Sequence, residues 1–296
     1  MTRLLPLLAL ILPAACVSAE PPASIPSHEV ADYQAPAIQQ LTATTIREYD
    51  APEADQGVAV DQTYFYPVDN SVIGKYRLDT GELTARFAAP GKGLLRHMNS
   101  CKTEGARLRC ANSNYSLTPM GSSVEYFDTA TMTHESSHSL GMMDEGSLTW
   151  IDDLGGGYIT GFAHYGGNGG LAFKDATFAS VVTFDKDWRR TGGWLFPQSA
   201  IDRMAPYAAS GGAIGPDGLL YILGHDRPEL YVLAKPSMGP VMLHVATIAL
   251  EAEGQAFSWA ADGSRTVYTI DRRRGKVRAI DLPAVGLAAQ EMQRFR

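Results

Sequence analysis

A pattern of three short apolar strands separated by turn residues recurs along this chain. "GVAVDQTYFYPVDNSVIGKYRLDTGELTARF" begins at Gly57, "GGAIGPDGLLYILGHDRPELYVLAKPSMGPVMLHV" at Gly211 and "AFSWAADGSRTVYTIDRRRGKVRAIDLP" at Ala256. Degenerate copies start at His97 and Ser147, which makes five units. Each copy reads as an inner strand, a turn such as Pro216-Asp217-Gly218, a second strand, a loop, and a third strand ending near Asp79, Asp128 or Asp185, with a fourth strand after it. A unit of this kind cannot bury its apolar faces alone and must stack on its neighbours. Radial repetition of four-stranded units is the mark of a β-propeller. The expected fold is therefore all-β, a propeller of five blades, with six allowed by the length of the third unit. The last copy stops at its third strand near Pro283, while residues 43–52, "ATTIREYDAP", look like a blade fragment without a blade. The N-terminal segment is expected to complete the last blade and so close the ring.

The chain has 296 residues, 45% hydrophobic and 19% charged, with 29 Gly and 17 Pro, which suits one turn-rich domain over residues 43–296. Its first residues, "MTRLLPLLALILPAACVSAEPPAS", combine a basic start, an apolar run and small residues at Val17 and Ala19, as an export signal does. Residues 1–19 are read as a signal peptide and 20–42 as a flexible tether. A periplasmic or secreted location follows, with lipid attachment at Cys16 as the variant. The apolar run is too short to span a bilayer, so no transmembrane segment is expected. Cys101 and Cys110 are then the remaining cysteines, and "NSCKTEGARLRC" reads as a hairpin in which they form a cross-strand disulfide. A net charge of −7 and the lack of a basic cluster beyond "DRRRGK" argue against nucleic acid. A monomer is expected.

"THESSHSLGMMDEG" contains His134-Glu135-x-x-His138, the spacing by which zinc proteases hold their metal from a helix. The repeat places this stretch on the outermost strand of the second blade. There the two histidines share a face but stand about 13 Å apart, at roughly 3.3 Å per residue. Thr129, Thr131, Thr133, Ser136, Ser137 and Ser139 also make a poor helix. The protease reading stays as the second alternative, and it requires a helix over residues 130–140.

The loops between second and third strands gather at one mouth of a propeller channel. Their polar residues are Asp69-Asn70, Asn112-Ser113-Asn114, His164-Tyr165, Gly224-His225-Asp226 and Asp271-Arg272. His97 enters from the same rim, and with His164 and His225 it would make a three-imidazole cluster able to hold a divalent cation, calcium or zinc, or to act as a base. The plain reading gives each histidine a neighbouring backbone group instead. His164, His225 and Asp226 are the candidate catalytic residues. Asn112, Asn114, Glu145, Tyr165 and Asp271 are the candidate ligand contacts, each with an ordinary turn, solvated or packing role as its alternative. The Gly-rich loop "HYGGNGGLAFKD" would be a mobile cover for the mouth and does not match a phosphate-cradling pattern. No nucleophile elbow is present, since Ser210-Gly211-Gly212 lacks its frame.

At "GPDGLLYILGHDRPELYVL" the chain resembles secreted or periplasmic propellers of the NHL, YVTN and gluconolactonase-like group, in which Pro-Asp-Gly turns join strands of one blade. The gluconolactonase-like members imply a divalent cation at the channel mouth, held by Glu, Asn and Asp, and lactone or ester hydrolysis. The Glu-Gly-Pro opening of that family is absent here, where "DQGVAVD" stands instead. The expected function is small-molecule binding at the channel mouth, with lactone or ester hydrolysis or isomerisation as the enzymatic version. The competing class is a non-catalytic propeller that serves as a binding scaffold.

Overall fold

Alternation of apolar residues with period two sends successive side chains to opposite faces of a strand, so a strand buried on both faces serves two cores at once. Leu220 and Ile222 pack with Trp150 and Ile159, whereas Tyr221 and Leu223 between them pack with Phe257 and Val267. The same division repeats around the ring, and five apolar clusters result, each filled from two adjoining blades. The computed structural model describes residues 36–90, 93–166, 170–287 and 292–295. The signal peptide, Cys16 and most of the expected tether lie outside the described residues.

The chain enters through β1 (Gln39–Thr42) and β2 (Thr44–Asp50). Blade 1 is β3 (Gly57–Val60), β4 (Tyr64–Asp69), β5 (Val72–Arg77) and β6 (Leu83–Ala88). Blade 2 is β7 (His97–Glu104), β8 (Arg107–Ser113), β9 (Gly121–Asp128) and β10 (Thr133–Met142). Blade 3 is β11 (Ser147–Leu154), β12 (Gly157–Ala163), β13 (Ser180–Phe184) and β14 (Arg190–Leu195), followed by the short helix α1 (Gln198–Met204). Blade 4 is β15 (Gly211–Ile214), β16 (Leu220–Leu223), β17 (Glu229–Pro236) and β18 (Leu243–Ala249). Blade 5 is β19 (Ser258–Trp259), β20 (Thr266–Asp271), β21 (Lys276–Asp281) and, as its outermost strand, β2. Thr44 pairs with Asp281 and Asp50 with Lys276, so the N-terminal strand closes the ring as the repeat requires. The architecture is a five-bladed propeller.

Two features go beyond the expected closure. β1 lies in the stretch read as tether, yet it pairs in parallel with β18 from Gln39 to Thr42 and adds a strand to blade 4. At the other terminus β22 (Met292–Gln293) pairs with the end of β17, and Phe295 is buried against Trp194. The first and last strands among the described residues are thus both tied to blade 4. No helix among the described residues is long and apolar enough to cross a membrane.

Turn chemistry explains why the copies share their punctuation. Asp61 accepts from the backbone N–H groups of Thr63 and Tyr64 at 2.7 Å each, and from the Tyr66 hydroxyl at 2.7 Å. In blade 4 Asp217 does the same for Leu219 and for Tyr221, whose hydroxyl lies 2.6 Å away. A turn carboxylate thus ties the first strand to a tyrosine on the second. The glycines that open β3 and β15 have a steric cause: a Cβ at Gly57 would stand 2.6 Å from the Ala256 Cβ, and one at Gly211 would stand 2.6 Å from Gln255 O. The Cys101–Cys110 disulfide is formed, and the two residues are a directly opposed pair of β7 and β8.

The protease spacing is on a strand. His134 to His138 lie within β10, the helix over residues 130–140 is not formed, and no group of three or more His, Cys, Asp or Glu among the described residues could hold a metal. The expectation that the two histidines share a face is corrected as well. A bulge between His134 and Ser136 shifts the register, so His134 packs on Phe127 towards blade 1 and His138 stacks near Trp188 towards blade 3. His134 meets the buried carboxylate of Glu125 at 2.8 Å, and Glu135 pairs with Arg107 at 2.6 Å.

Candidate functional site

The second-to-third-strand loops of all five blades do converge on one channel mouth, and there they build a closed ring of side chains. Asp55 accepts from Asn70 Nδ2 at 3.3 Å, and Asn70 Oδ1 lies 2.7 Å from His97 Nδ1. Ring centres then follow at 5.0 Å from His97 to Tyr115, 5.4 Å to Tyr165, 5.2 Å to Tyr207 and 4.1 Å to His225. Arg272 closes the circle, donating from Nη1 to His225 Nε2 and from Nε to Asp55 Oδ1, both at 3.3 Å. On its other side His225 Nδ1 faces Asp226 Oδ1 at 2.5 Å. Burial holds His97 down to about 4 and raises Tyr165 to about 12, so both are neutral over the physiological range.

Beneath the ring His97, Asn99, Tyr115, Met120, Ser147 and Tyr165 close together and leave no room for a water.

Of the sequence candidates, His97, Tyr165 and His225 belong to the ring, with Asp226 exposed beside it. His164 does not join them: its Nε2 donates to Asp144 O at 3.2 Å, and its ring lies against Phe178 next to Lys174. Burial lowers its pKa. The expected cluster of His97, His164 and His225 is therefore not formed, because the strand end that carries His164 turns its ring into blade 3. Asn112 is buried and engaged by His97 N, Leu94 O and Ser123. Asn114 staples its own turn through Gly121 N and Pro119 O. Asp271 is buried between Arg278 at 3.0 Å and Arg274 at 3.3 Å, and Glu145 pairs with Arg190 at 3.1 Å. In the Gly-rich loop, Gly167, Asn168 and Gly169 lie outside the described residues, so the cover expected there does too.

Open space lies at the other end of the channel. A cavity of about 310 Å³ is lined by the inner strands of all five blades, through Val60, Lys102 and Thr103, Asp152, Ala213 and Ile214, and Ser258 and Trp259. Its rim is made by first-to-second-strand turns, with Gly215, Pro216, Gly263 and Ser264. Asp152 is buried. It receives Lys102 on one oxygen and the Ile214 N–H at 2.6 Å on the other, while Lys102 also reaches Asp153 at 2.7 Å. Thr103 Oγ1 donates to Val60 O at 2.8 Å and Ser258 Oγ to Cys101 O at 3.3 Å. The Trp259 indole N–H is buried with no acceptor among the described residues. Sequence reading overlooked this end, although each repeat shows an acid at or next to its first turn: Asp61, Glu104, Asp152 with Asp153, Asp217 and Asp262. That recurrence was the available signal.

No family model matches this chain, and no curated protein does. Among solved structures it is similar to a chain of "Crystal Structure of Mitotic Checkpoint Complex", at 10% identity and a TM-score of 0.45, over 87% of this chain and 98% of that one. It is similar also to the Neurospora crassa Pan2 WD40 domain, at 12% identity and 0.36, over 80% and 64%. A third likeness is to the RRP9 WD40 repeats, at 8% identity and 0.39, over 84% and 99%. Likenesses this loose carry nothing about function or partners. The similar structures are, by name, a checkpoint complex and two WD40 propellers, and none is named as an exported or lactonase-like protein, so the expected periplasmic or secreted location gains no support from them. They assign no other compartment.

Proposed function

We propose that this chain is a non-catalytic binding propeller that seats a small ligand in the cavity at the first-to-second-strand end of its channel. The observation that carries this is the cavity of about 310 Å³ reached by the inner strands of all five blades, a size and position suited to one small ligand. The bonding of its wall supports binding over chemistry. The hydroxyls of Thr103 and Ser258 donate to backbone carbonyls, and Lys102 and Asp152 are bonded to each other, so these four wall groups are engaged in holding the wall. Groups fixed in this way orient a ligand.

The lactone- or ester-hydrolysing version would use the opposite mouth, with a divalent cation held by carboxylate and amide oxygens. Asn112, Asn114 and Asp271 are engaged in holding blade structure there. His225 is held between Arg272 and Asp226.

Thermal-shift screening of the full chain against neutral, acidic and basic metabolites tests the proposal. A ligand at a hundred times its Kd adds about 2.7 kcal/mol to stability, which a melting curve resolves. Hits are expected to lose their effect in Ala213→Phe, which fills the cavity. Turnover of lactones or esters that disappears in His225→Ala would overturn the proposal.

A further inference from the structure

The charge of the ligand follows from how the cavity wall is neutralised. Among the described residues that line it, only Lys102 and Asp152 carry charge. They are bonded to each other, Asp152 takes the Ile214 N–H at 2.6 Å on its second oxygen, and Asp153 is a second acceptor for Lys102 at 2.7 Å. Asp153 in turn is held by Arg109 at 2.7 Å, and Asp217 in the rim turn by Arg265 at 2.9 Å. A charged ligand would give up its hydration here and gain no free counter-ion. An anion on Lys102 would stand beside two carboxylates, and a cation would face the ammonium.

Hydrogen-bonding capacity is left over all the same. An ammonium has three N–H groups, and the two carboxylates take two of them. The Lys102 side chain keeps 38% of its surface exposed, which leaves the third N–H for a molecule in the cavity that it lines. The hydroxyl of Thr103 donates to Val60 O, so towards a ligand its oxygen can only accept. Blades 2 and 3 thus contribute the polar part of the wall, through Lys102, Thr103 and Asp152. Blades 4 and 5 contribute Ala213, Ile214, Trp259 and Ala260, all only partly buried, and the Trp259 ring is held edge-on to Tyr221 at 4.9 Å. At the roughly 30 Å³ that one water occupies in the liquid, a cavity of about 310 Å³ takes roughly ten non-hydrogen atoms.

We propose that the cavity takes a small neutral molecule, which sets a carbonyl or hydroxyl oxygen on Lys102 Nζ and an apolar body against Ala213, Ile214 and Trp259. This rests on the reading of the cavity as the ligand site. Lys102 is then the residue that selects an oxygen acceptor over a plain hydrocarbon, and its two carboxylates are what turn away an anion.

The test is calorimetric titration and thermal shift of the full chain with four probes of similar shape: benzamide, benzoate, benzylamine and toluene. Benzamide should bind saturably and at least about tenfold more tightly than the other three, the worth of one hydrogen bond to a charged donor. Its affinity should change by less than about twofold when salt rises from about 50 to about 500 mM. Lys102→Met/Asp152→Asn removes the ion pair as a unit, leaves Asp153 with Arg109 and keeps an acceptor for the Ile214 N–H. In this variant benzamide should fall to the affinity of toluene while toluene is unchanged. Benzoate or benzylamine binding as tightly as benzamide overturns the proposal, as does benzamide binding that is indifferent to the double variant or absent up to about 10 mM. The wild-type series decides between neutral and charged ligands even if the double variant does not fold. Ala213→Phe separates the two readings. If a charged probe binds best and Ala213→Phe abolishes its binding, the neutral ligand falls and the cavity remains the ligand site; if benzamide binding survives Ala213→Phe, the cavity reading falls as well.

Discussion

Asn70 and His97 meet at 2.7 Å, Oδ1 to Nδ1, and this bond joins the second-to-third-strand turn of blade 1 to the inner strand of blade 2. Asn70 has a φ of +37°, in the left-handed region that glycine adopts without strain. Asn70→Gly therefore removes the side chain while keeping the backbone. It should cost about 1 to 2 kcal/mol, the worth of a part-buried polar pair. A loss under about 0.3 kcal/mol in urea unfolding would mean that the ring is incidental contact.

Two buried imidazoles make stability depend on pH. Burial lowers both His97 and His244 to about 4, and His244 is satisfied while neutral by Ser199 at 3.0 Å and Ala246 O at 3.1 Å. The unfolded chain takes up protons near pH 6.5 and the folded chain does not, so stability should be full above that point and decline as pH falls towards 4. The two together should remove about 2 to 4 kcal/mol across this window. Melting curves of His97→Asn/His244→Asn should be flatter over the same range; an unchanged slope would refute the assignment.

The N-terminal strands differ in importance. A chain beginning at Ala43 loses β1, the added parallel strand on blade 4, and should fold with a melting temperature about 2 to 6 °C lower. One beginning at Ala51 loses β2 as well, together with Tyr49 from the core between blades 5 and 1, and should show no cooperative transition. Circular dichroism on both separates these outcomes.

Reduction of Cys101–Cys110 should destabilise the chain by about 2 to 3 kcal/mol, since the bridge closes a short loop across positions nine apart. Denaturant unfolding with and without reductant measures this. An unchanged midpoint would show that the β7–β8 ladder alone holds the hairpin.

Zinc or a chelator should leave the melting temperature unmoved, because His134 and His138 lie on opposite faces of β10. A zinc-dependent rise lost in His138→Ala would contradict this placement.

The sequence alone determined the propeller architecture, the closing strand and the disulfide, because these depend on local pattern, while the structure decided for five blades over six. Period-two alternation decides which residues can serve two cores, and a blade fragment at Ala43 can only complete a blade that lacks one. It also showed that Asn70, His97, His225 and Arg272 belong to one rim. Only the tertiary structure decided what that rim does. Tyr207 and Asp55 complete the ring from segments between blades that carry no repeat signal, and Tyr115 from beside the aligned Asn114, while His164 turns away to Asp144. The bulge after His134 reversed a face assignment that follows from even spacing. The place of the cavity of about 310 Å³ was likewise invisible in the sequence, since it depends on how side chains from five separate blades fill a shared axis, a sum over distant residues that no local spacing encodes.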